Sequence, residues 1–185
     1  MKRICVFCGS AEGQDPAILE EARELGRLLA TNGIGLVYGG AGIGVMGALA
    51  NACLEAGGDV TGVIPRTLMR KEVAHRDLTK LIVVEDMHQR KALMADLSDA
   101  FIALPGGFGT FEEIFEMVTW RQIRIHSKPL VLVNTSGFYD GLHAFVSHAT
   151  ASGFIRESNM ELLPMAEDSR KALTLLDLGS SHLKF

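Results

Sequence analysis

The chain has 185 residues, of which 48% are apolar and 22% are charged, and its net charge is −4. A chain of this length can bury a substantial core as one domain. The slightly acidic balance argues against a nucleic-acid partner, which would favour a basic face. The sequence contains no apolar run near the ~20 residues that span a bilayer, and its N-terminus lacks a signal-peptide pattern. We therefore expect one cytoplasmic domain over residues 1–185, without a membrane partner.

The three cysteines suit a reducing compartment. Cys5 and Cys8 have the CxxC spacing but fall in a strand-like run, where residues three apart point to opposite faces. We therefore expect neither a disulfide nor a shared metal there. Cys53 falls within a predicted helix and is expected to pack into the hydrophobic core. The six histidines form neither an HExxH motif nor a tight cluster. The sequence therefore gives no support for a metal site.

The predicted strands and helices alternate along the chain. In order, the patterns predict strand 3–7, helix 16–30, strand 35–38, helix 45–56, strand 59–64, a polar loop with a short helical piece over 66–79, strand 81–84, helix 87–97, strand 100–103, helix 111–123, strand 130–133, helix 139–152, a short edge strand within 161–165 and helix 169–176. Apolar strands without alternation, each followed by a helix, indicate a parallel sheet covered on both faces. The predicted fold class is therefore α/β, a Rossmann-like doubly wound parallel sheet.

Three strand ends carry glycine or small polar residues. They are Cys8-Gly9-Ser10, Gly39-Gly40 and Pro105-Gly106-Gly107. Ligands of doubly wound sheets bind outside the carboxyl ends of the strands, where the strand order reverses. We therefore expect these three turns to meet in one pocket.

The turn after strand 100–103 has the features of an anion site. Backbone N–H groups at a helix N-terminus are unpaired, and the helix dipole adds positive potential there. Gly106, Gly107 and Gly109 would let an anion approach the backbone. Thr110 would cap the helix or bind a phosphate oxygen, and Glu113, one turn further on, would reach a sugar. The alternative is an ordinary turn with a threonine cap and a glutamate capping-box partner.

A second glycine pattern, GxGxxG, covers residues 42–47. This pattern is typical of dinucleotide sites, but such sites also need an acidic residue at the end of the next strand. Here that strand runs into Val63-Ile64-Pro65-Arg66, which has no carboxylate. We therefore expect no redox cofactor, and the glycines are predicted to allow close packing of helix on strand and to line the pocket floor.

Arg90 and Lys91 lie in the first turn of the predicted helix 87–97, where cations oppose the helix dipole. A solvated pair is one interpretation. The other is an anion site, since Arg90 offers a planar fork to a phosphate or to a sugar or base oxygen. Glu112 and Glu116, four residues apart on a helix, are predicted to be solvated.

Two of these segments together resemble a known family. Residues 105–113, Pro-Gly-Gly-Phe-Gly-Thr-Phe-Glu-Glu, are similar to the PGGxGTxxE signature of the Lonely guy (LOG) family, and Met87-His88-Gln89-Arg90-Lys91 is similar to its Met-His-x-Arg-Lys segment. Members are cytokinin riboside 5′-monophosphate phosphoribohydrolases, often labelled lysine decarboxylases. The resemblance extends over nearly the whole chain. It implies homodimers or larger assemblies with the site near the interface.

The resemblance also implies functional residues. The catalytic residues would be Arg90 and Glu113. The nucleotide-binding residues would be Glu72, Arg90, Lys91, Gly107, Phe108, Gly109, Thr110, Phe111, Glu112, Glu113 and Thr119, with Gly106 in the phosphate turn and Ser10, Gly39 and Gly40 in the pocket wall. The loop around Glu72 is the part least similar to the family.

The resulting hypothesis is hydrolysis of the N-glycosidic bond of adenosine 5′-monophosphate or an N6-modified form of it, without a metal or other cofactor. Whether the substrate is prenylated stays open. One alternative is a nucleotide-binding regulatory module with little turnover. Another is a lysine decarboxylase, which would need pyridoxal phosphate on a Schiff-base lysine, for which the sequence offers no recognisable context.

Overall fold

A computed structural model describes residues 2–69 and 74–176. Its centre is one seven-stranded sheet in the order β4-β3-β2-β1-β5-β6-β7, in which every neighbouring pair is parallel. The strands are β1 (Arg3–Phe7), β2 (Gly35–Tyr38), β3 (Val60–Pro65), β4 (Lys80–Val84), β5 (Ala100–Ala103), β6 (Leu130–Val133) and β7 (Met165–Ala166). The α/β class and the Rossmann-like doubly wound sheet are therefore confirmed.

The helices that connect the strands cover both faces of the sheet. They are α1 (Pro16–Thr31), α2 (Gly44–Glu55), α3 (Arg66–Met69), α4 (Met87–Asp96), α5 (Phe108–Gln122), α6 (Asp140–Ala151) and α7 (Ser169–Leu176), with 3₁₀ turns at Thr135–Gly137 and Glu157–Leu162. Within the described ranges, no helix is long and apolar enough to cross a membrane.

The sheet separates two hydrophobic cores. On β1, Ile4 and Val6 belong to the core under α1, α2 and α7, whereas Cys5 and Phe7 belong to the core under α4, α5 and α6. Successive strand residues point to opposite faces, so continuous apolar strands arise because both faces are covered. Cys8 lies in the first core, on the face opposite Cys5 as predicted, and the three cysteines are free buried thiols.

The strand order reverses between β1 and β5. The chain builds β1 to β4 toward one edge and then returns to place β5 beside β1. The turns after these two strands touch each other: the Gly9 N–H donates to the Pro105 carbonyl at 3.1 Å. The topology therefore brings the first and third predicted glycine turns together.

The GxGxxG segment serves close packing. Gly44 has φ +62°, and a Cβ there would lie 2.3 Å from the Ser10 carbonyl oxygen. A Cβ on Gly47 would lie 2.5 Å from the Gly42 carbonyl oxygen. The start of α2 therefore seats directly on the turn after β1, as the packing interpretation predicted.

Most predicted boundaries agree with the structure to within one residue, but those of α5 and of the edge strand are wrong. Helix α5 begins at Phe108 with Gly107 as its N-cap, and no side chain makes a capping hydrogen bond there. Thr110 is thus a buried residue within the first turn, not a cap. The edge strand is Met165–Ala166 rather than a strand over 161–165. It pairs with β6 from Met165 onward, where Leu132 lies opposite Met165 and its N–H donates to the Pro164 carbonyl.

Candidate functional site

A cavity of about 410 Å³ opens at the carboxyl ends of β1, β2 and β3, beside the N-terminus of α5. One wall comes from the turns after β1 and β2, and another from the first turn of α5. The lining residues are Cys8, Gly9, Ser10, Gly39, Ala41, Ile43, Met46, Ile64, Leu68, Arg90, Gly107, Phe108, Gly109, Thr110 and Glu113. The three predicted turns therefore do meet in one pocket.

The glycine turn has one closed side and one open side. A Cβ on Gly106 would lie 2.2 Å from Thr110 Oγ1 and 2.8 Å from the Gly9 nitrogen, so Gly106 is required by packing. A Cβ on Gly107 or Gly109 would meet none of the described atoms within 4 Å. Gly107 and Gly109 also line the cavity, and no side chain caps α5 there. The first N–H groups of a helix lack partners within it, so those of α5 are available to an anion.

Arg90 reaches the cavity from α4. Asp86 caps this helix, accepting a hydrogen bond from the Gln89 N–H at 2.8 Å. The Arg90 guanidinium, only 6% exposed, donates from Nε to the Val63 carbonyl at 3.1 Å and from Nη2 to the Gly39 carbonyl at 3.3 Å. A Cβ on Gly39 would lie 2.1 Å from Nη2. The ends of β2 and β3 thus fix the guanidinium, and glycine at 39 leaves room for it.

Glu113 lies opposite Arg90 and is 4% exposed. Its Oε1 is 3.5 Å from Arg90 Nη1, beyond the usual length of a tight ion pair. Burial raises the pKa of Glu113 to about 7, although the nearby Arg90 opposes that rise. Near neutral pH the carboxyl group therefore populates both protonation states and can accept or donate a proton.

Lys91 points away from Arg90 and binds α5. Its ammonium pairs with Glu112 and, at 3.0 Å, with Glu116. Lys91 is 6% exposed, so this is a buried contact between helices rather than a surface pair. The prediction that Glu116 is solvated is wrong, since its side chain is 21% exposed and paired, whereas Glu112 is half-exposed.

Most of the remaining predicted site residues either line the cavity or lie close to its lining. Ser10, Gly39, Gly107, Phe108, Gly109 and Thr110 line the cavity, and Phe108 is 91% exposed at its mouth. The others lie off its lining as far as the described residues define it: Gly40 has φ +77° beside Gly39, Phe111 stacks on Phe138, and Thr119 is exposed further along α5. Gly106 lines an adjoining depression of about 230 Å³. Glu72 lies outside the described residues.

Apolar lining residues were missing from the prediction. Ile43, Met46, Ile64 and Leu68 form an apolar wall of the cavity. Ile43 and Met46 lie between the glycines of the GxGxxG pattern, so the pocket floor comes from these side chains rather than from the glycines. Apolar walls with a few polar groups are typical of small-molecule sites.

No group of three or more histidine, cysteine, aspartate or glutamate side chains among residues 2–69 and 74–176 is placed to hold a metal ion. The charged groups of the cavity are instead the Arg90 guanidinium and the Glu113 carboxyl. This arrangement can bind an anion at the α5 N-terminus and place a carboxylate next to the rest of the ligand.

The fold and the site together define a Rossmann-like α/β protein with a ligand cavity at the switch point of its sheet. Residues 46–176 match the family model described as "Possible lysine decarboxylase". The chain is 47% identical over 176 residues to cytokinin riboside 5′-monophosphate phosphoribohydrolase of Rhodococcoides fascians, covering 95% of this chain and 89% of that one. It is 46% identical over 176 residues to cytokinin riboside 5′-monophosphate phosphoribohydrolase LOG5 of Arabidopsis thaliana, covering 95% of this chain and 77% of that one. The chain belongs to the LOG family.

Structural similarity extends further than sequence similarity. The protein TM1055 superposes with a TM-score of 0.73 at 22% identity, covering 96% of this chain and 99% of that one. The molybdenum cofactor carrier protein of Chlamydomonas reinhardtii superposes with a TM-score of 0.70 at 25% identity, covering 94% of each chain. The same fold therefore occurs in proteins whose names differ from those of the sequence relatives.

Proposed function

We propose that this protein hydrolyses the N-glycosidic bond of adenosine 5′-monophosphate or an N6-modified form of it. Water adds to C1′ of the ribose while the C1′–N9 bond breaks. The bonding electron pair leaves with the base, which gains a proton overall, and the products are the free base and ribose 5-phosphate. The named activity of the relatives supports this reaction.

The observation that carries the proposal is the placement of Glu113. Its buried carboxyl group faces the cavity one turn away from the open amides of Gly107 and Gly109. A phosphate on those amides would place the ribose of a nucleoside monophosphate within reach of Glu113. The apolar wall at Ile43 and Met46 would then receive the base.

The phosphate would be held by backbone N–H groups and by the hydroxyl groups of Ser10 and Thr110. The amides of Gly106, Gly107, Gly109 and Thr110 belong to the turn and the first helical residues, where the helix dipole favours negative charge. Ser10 lies across the cavity from this turn. Such a cradle binds a phosphate without a metal ion.

Glu113 and Arg90 would act on the bond itself. Cleavage of an N-glycosidic bond builds positive charge on the ribose, as in an oxocarbenium ion. The ionised carboxylate of Glu113 stabilises that charge, binds ribose hydroxyl groups and orients the attacking water. Arg90, whose Nη1 lies 3.5 Å from Oε1 of Glu113, favours the anionic form of that carboxyl group and would steady the leaving base or the phosphate.

The proposal extends to the state of the protein. Residues 1–185 would form one domain in the cytoplasm, without nucleic-acid or membrane partners, and three buried free thiols support a reducing compartment. The protein would be a homodimer or a larger homo-oligomer. Exposed apolar side chains on and after α5, at Phe115, Ile123 and Ile125, support a subunit contact there. Light scattering after gel filtration measures the oligomer size.

The test is product analysis. The protein is incubated with AMP, isopentenyladenosine monophosphate, GMP and CMP, and each released base is quantified by chromatography. We expect adenine or its prenylated form from the first two substrates, and loss of product in Glu113→Gln. Binding of AMP without a released base would instead identify a nucleotide-binding module.

The family model's description raises lysine decarboxylation as another outcome. A Schiff-base lysine needs a lowered pKa. At Lys91 burial lowers the pKa, but the hydrogen bonds to Glu112 and Glu116 outweigh it, so the net pKa is raised. Lys91 is therefore unsuited to that chemistry. Release of CO₂ from lysine in the presence of pyridoxal phosphate would refute the hydrolase proposal.

A further inference from the structure

Two ion pairs connect α4 to α5 through adjacent residues. Arg90 faces Glu113, and Lys91, the next residue of α4, faces Glu112, the residue before Glu113 on α5. Successive helical residues point about 100° apart, so one pair lies at the cavity and the other lies away from it. The second pair also includes Glu116, which follows Glu112 by one turn.

The second pair is built into the packing of the helices. Lys91 is as buried as Arg90, each being 6% exposed, although a lysine side chain is rarely buried unless it is paired. Its two carboxylate partners come from one face of α5. The ammonium therefore links α4 to α5 directly beside the Arg90–Glu113 pair.

We propose that Lys91 is a positioning residue, which holds Glu113 opposite Arg90 through its ion pairs with Glu112 and Glu116. The proposal rests on the proposed hydrolase function for its kinetic consequences. In this proposal Lys91 contacts Glu112 and Glu116 within the protein, whereas the family resemblance had implied a contact with the nucleotide.

The charges around Glu113 predict in which direction its pKa changes when Lys91 or one of its partners is replaced. Burial is the largest influence on the pKa of Glu113 and raises it, the two cations Arg90 and Lys91 lower it, and Glu112 and Glu116 raise it. Removing Lys91 should therefore raise the pKa of Glu113, while neutralising Glu112 should lower it. The titratable groups that influence Glu113 or are influenced by it are Arg90 and Lys91 from α4, Glu112 and Glu116 from α5 itself, and the thiols of Cys5 in β1 and Cys8 just after it.

The direction of the pKa change in two variants distinguishes this role of Lys91 from simple packing. Lys91→Met and Glu112→Gln both break the Lys91–Glu112 pair, so a purely structural contact would change activity in the same way in both variants. We expect the acidic limb of the kcat profile to move up by ~0.5 pH unit in Lys91→Met and down by a similar amount in Glu112→Gln. Shifts of the same sign, or no shift in either variant, would overturn the proposal.

The kinetic constants separate positioning from nucleotide contact. For AMP we expect Lys91→Met to lower kcat by about tenfold and to change KM by less than about twofold, because the geometry of the reacting groups changes and the phosphate cradle does not. Lys91→Arg should restore most of kcat. A KM for AMP raised more than tenfold in Lys91→Met, with Glu112→Gln unchanged, would show a direct contact with the nucleotide and overturn the proposal.

A control variant and a readout without turnover complete the test. Glu20→Gln breaks an exposed pair with Arg27 on α1 and should leave the profile unchanged. The pKa of Glu113 is also followed directly by NMR of ¹³C-glutamate, with its signal assigned by Glu113→Gln. If the wild type releases no base from any nucleotide, the proposed function fails, while the NMR shifts still decide the role of Lys91. If Lys91→Met does not fold, Glu112→Gln and Glu116→Gln carry the test, and each must lower the pKa of Glu113.

Discussion

Alanine at Gly106, Gly107 and Gly109, one variant at a time, should separate packing from ligand binding within a single turn. All three glycines belong to the segment proposed to hold a phosphate. Only Gly106 is enclosed by protein atoms, whereas Gly107 and Gly109 face open space. The same added methyl group is therefore expected to have opposite consequences at neighbouring positions.

At Gly106 the consequence is loss of stability. The new Cβ would lie 2.2 Å from Thr110 Oγ1 and 2.8 Å from the Gly9 backbone nitrogen, and a backbone atom cannot move aside cheaply. Overpacking of this kind costs about 1–3 kcal/mol. For a chain of 150–250 residues that corresponds to a fall in Tm of roughly 2–12 °C.

At Gly107 and Gly109 the consequence is loss of binding. Gly107 has φ −98°, which any residue adopts, and Gly109 lies in the first turn of α5, where alanine is favoured over glycine by up to ~1 kcal/mol. Stability should therefore hold or rise. Alanine keeps its backbone N–H, but its methyl group would occupy space that the phosphate needs and so weaken a hydrogen bond to it. Loss of one hydrogen bond to the charged phosphate would cost about 1.5–3 kcal/mol, or roughly 10–100-fold in kcat/KM.

Thermal unfolding followed by circular dichroism and steady-state release of adenine from AMP measure the two effects on the same samples. Ribose 5-phosphate as a product inhibitor gives an independent measure of phosphate binding. If Gly107→Ala and Gly109→Ala keep the wild-type kcat/KM and inhibition constant, the phosphate does not bind at the start of α5 and the proposed substrate orientation is refuted.

The remaining predictions concern Arg90 and Glu113. Glu113→Gln should lower kcat by at least ~100-fold while the dissociation constant of AMP, measured by calorimetry, changes by less than about fivefold; retained turnover would exclude Glu113 from the chemistry. Gly39→Ala should displace the guanidinium, since its Cβ would lie 2.1 Å from Arg90 Nη2, and so lower kcat with little change in AMP affinity. Burial raises the pKa of Glu113 from 4.5 to about 7, so the folded chain keeps a proton that the unfolded chain releases. Stability contributed by this proton is present below pH ~4.5 and is lost as the pH rises through about 7, by up to ~3 kcal/mol. Urea unfolding at pH 5 and pH 8 should show this fall in the wild type and not in Glu113→Gln.

The fold was predictable because its signals are local. Continuous apolar strands followed by amphipathic helices leave little choice other than a parallel sheet covered on both faces. The pocket followed from topology, since Gly9 and Gly106 come after strands that meet at the switch point. The start of α5 was predicted wrongly because a threonine in a glycine turn indicates a cap, whereas Gly107 occupies the cap position and leaves the amides open.

The residues around Lys91 in the sequence could not predict which way its side chain points. It depends on which face of α5 packs on α4, a contact between residues 21 positions apart in the chain. A usable signal was present on the other helix, where Glu112 and Glu116 share one face. A buried cation on a neighbouring helix is one way to satisfy such a pair, but the sequence does not say which cation reaches it.

In the proposed reaction, the long Arg90–Glu113 contact would bear directly on catalysis. Two carbonyl groups already occupy Nε and Nη2 of Arg90, so Nη1 faces Glu113 at 3.5 Å and no bidentate pair forms. The carboxylate is thereby removed from water and incompletely neutralised, which its raised pKa reflects. Additional positive charge nearby would relieve that cost, and an oxocarbenium-like ribose supplies it only as the glycosidic bond breaks. A tighter pair would stabilise the resting protein and weaken this preference for the transition state.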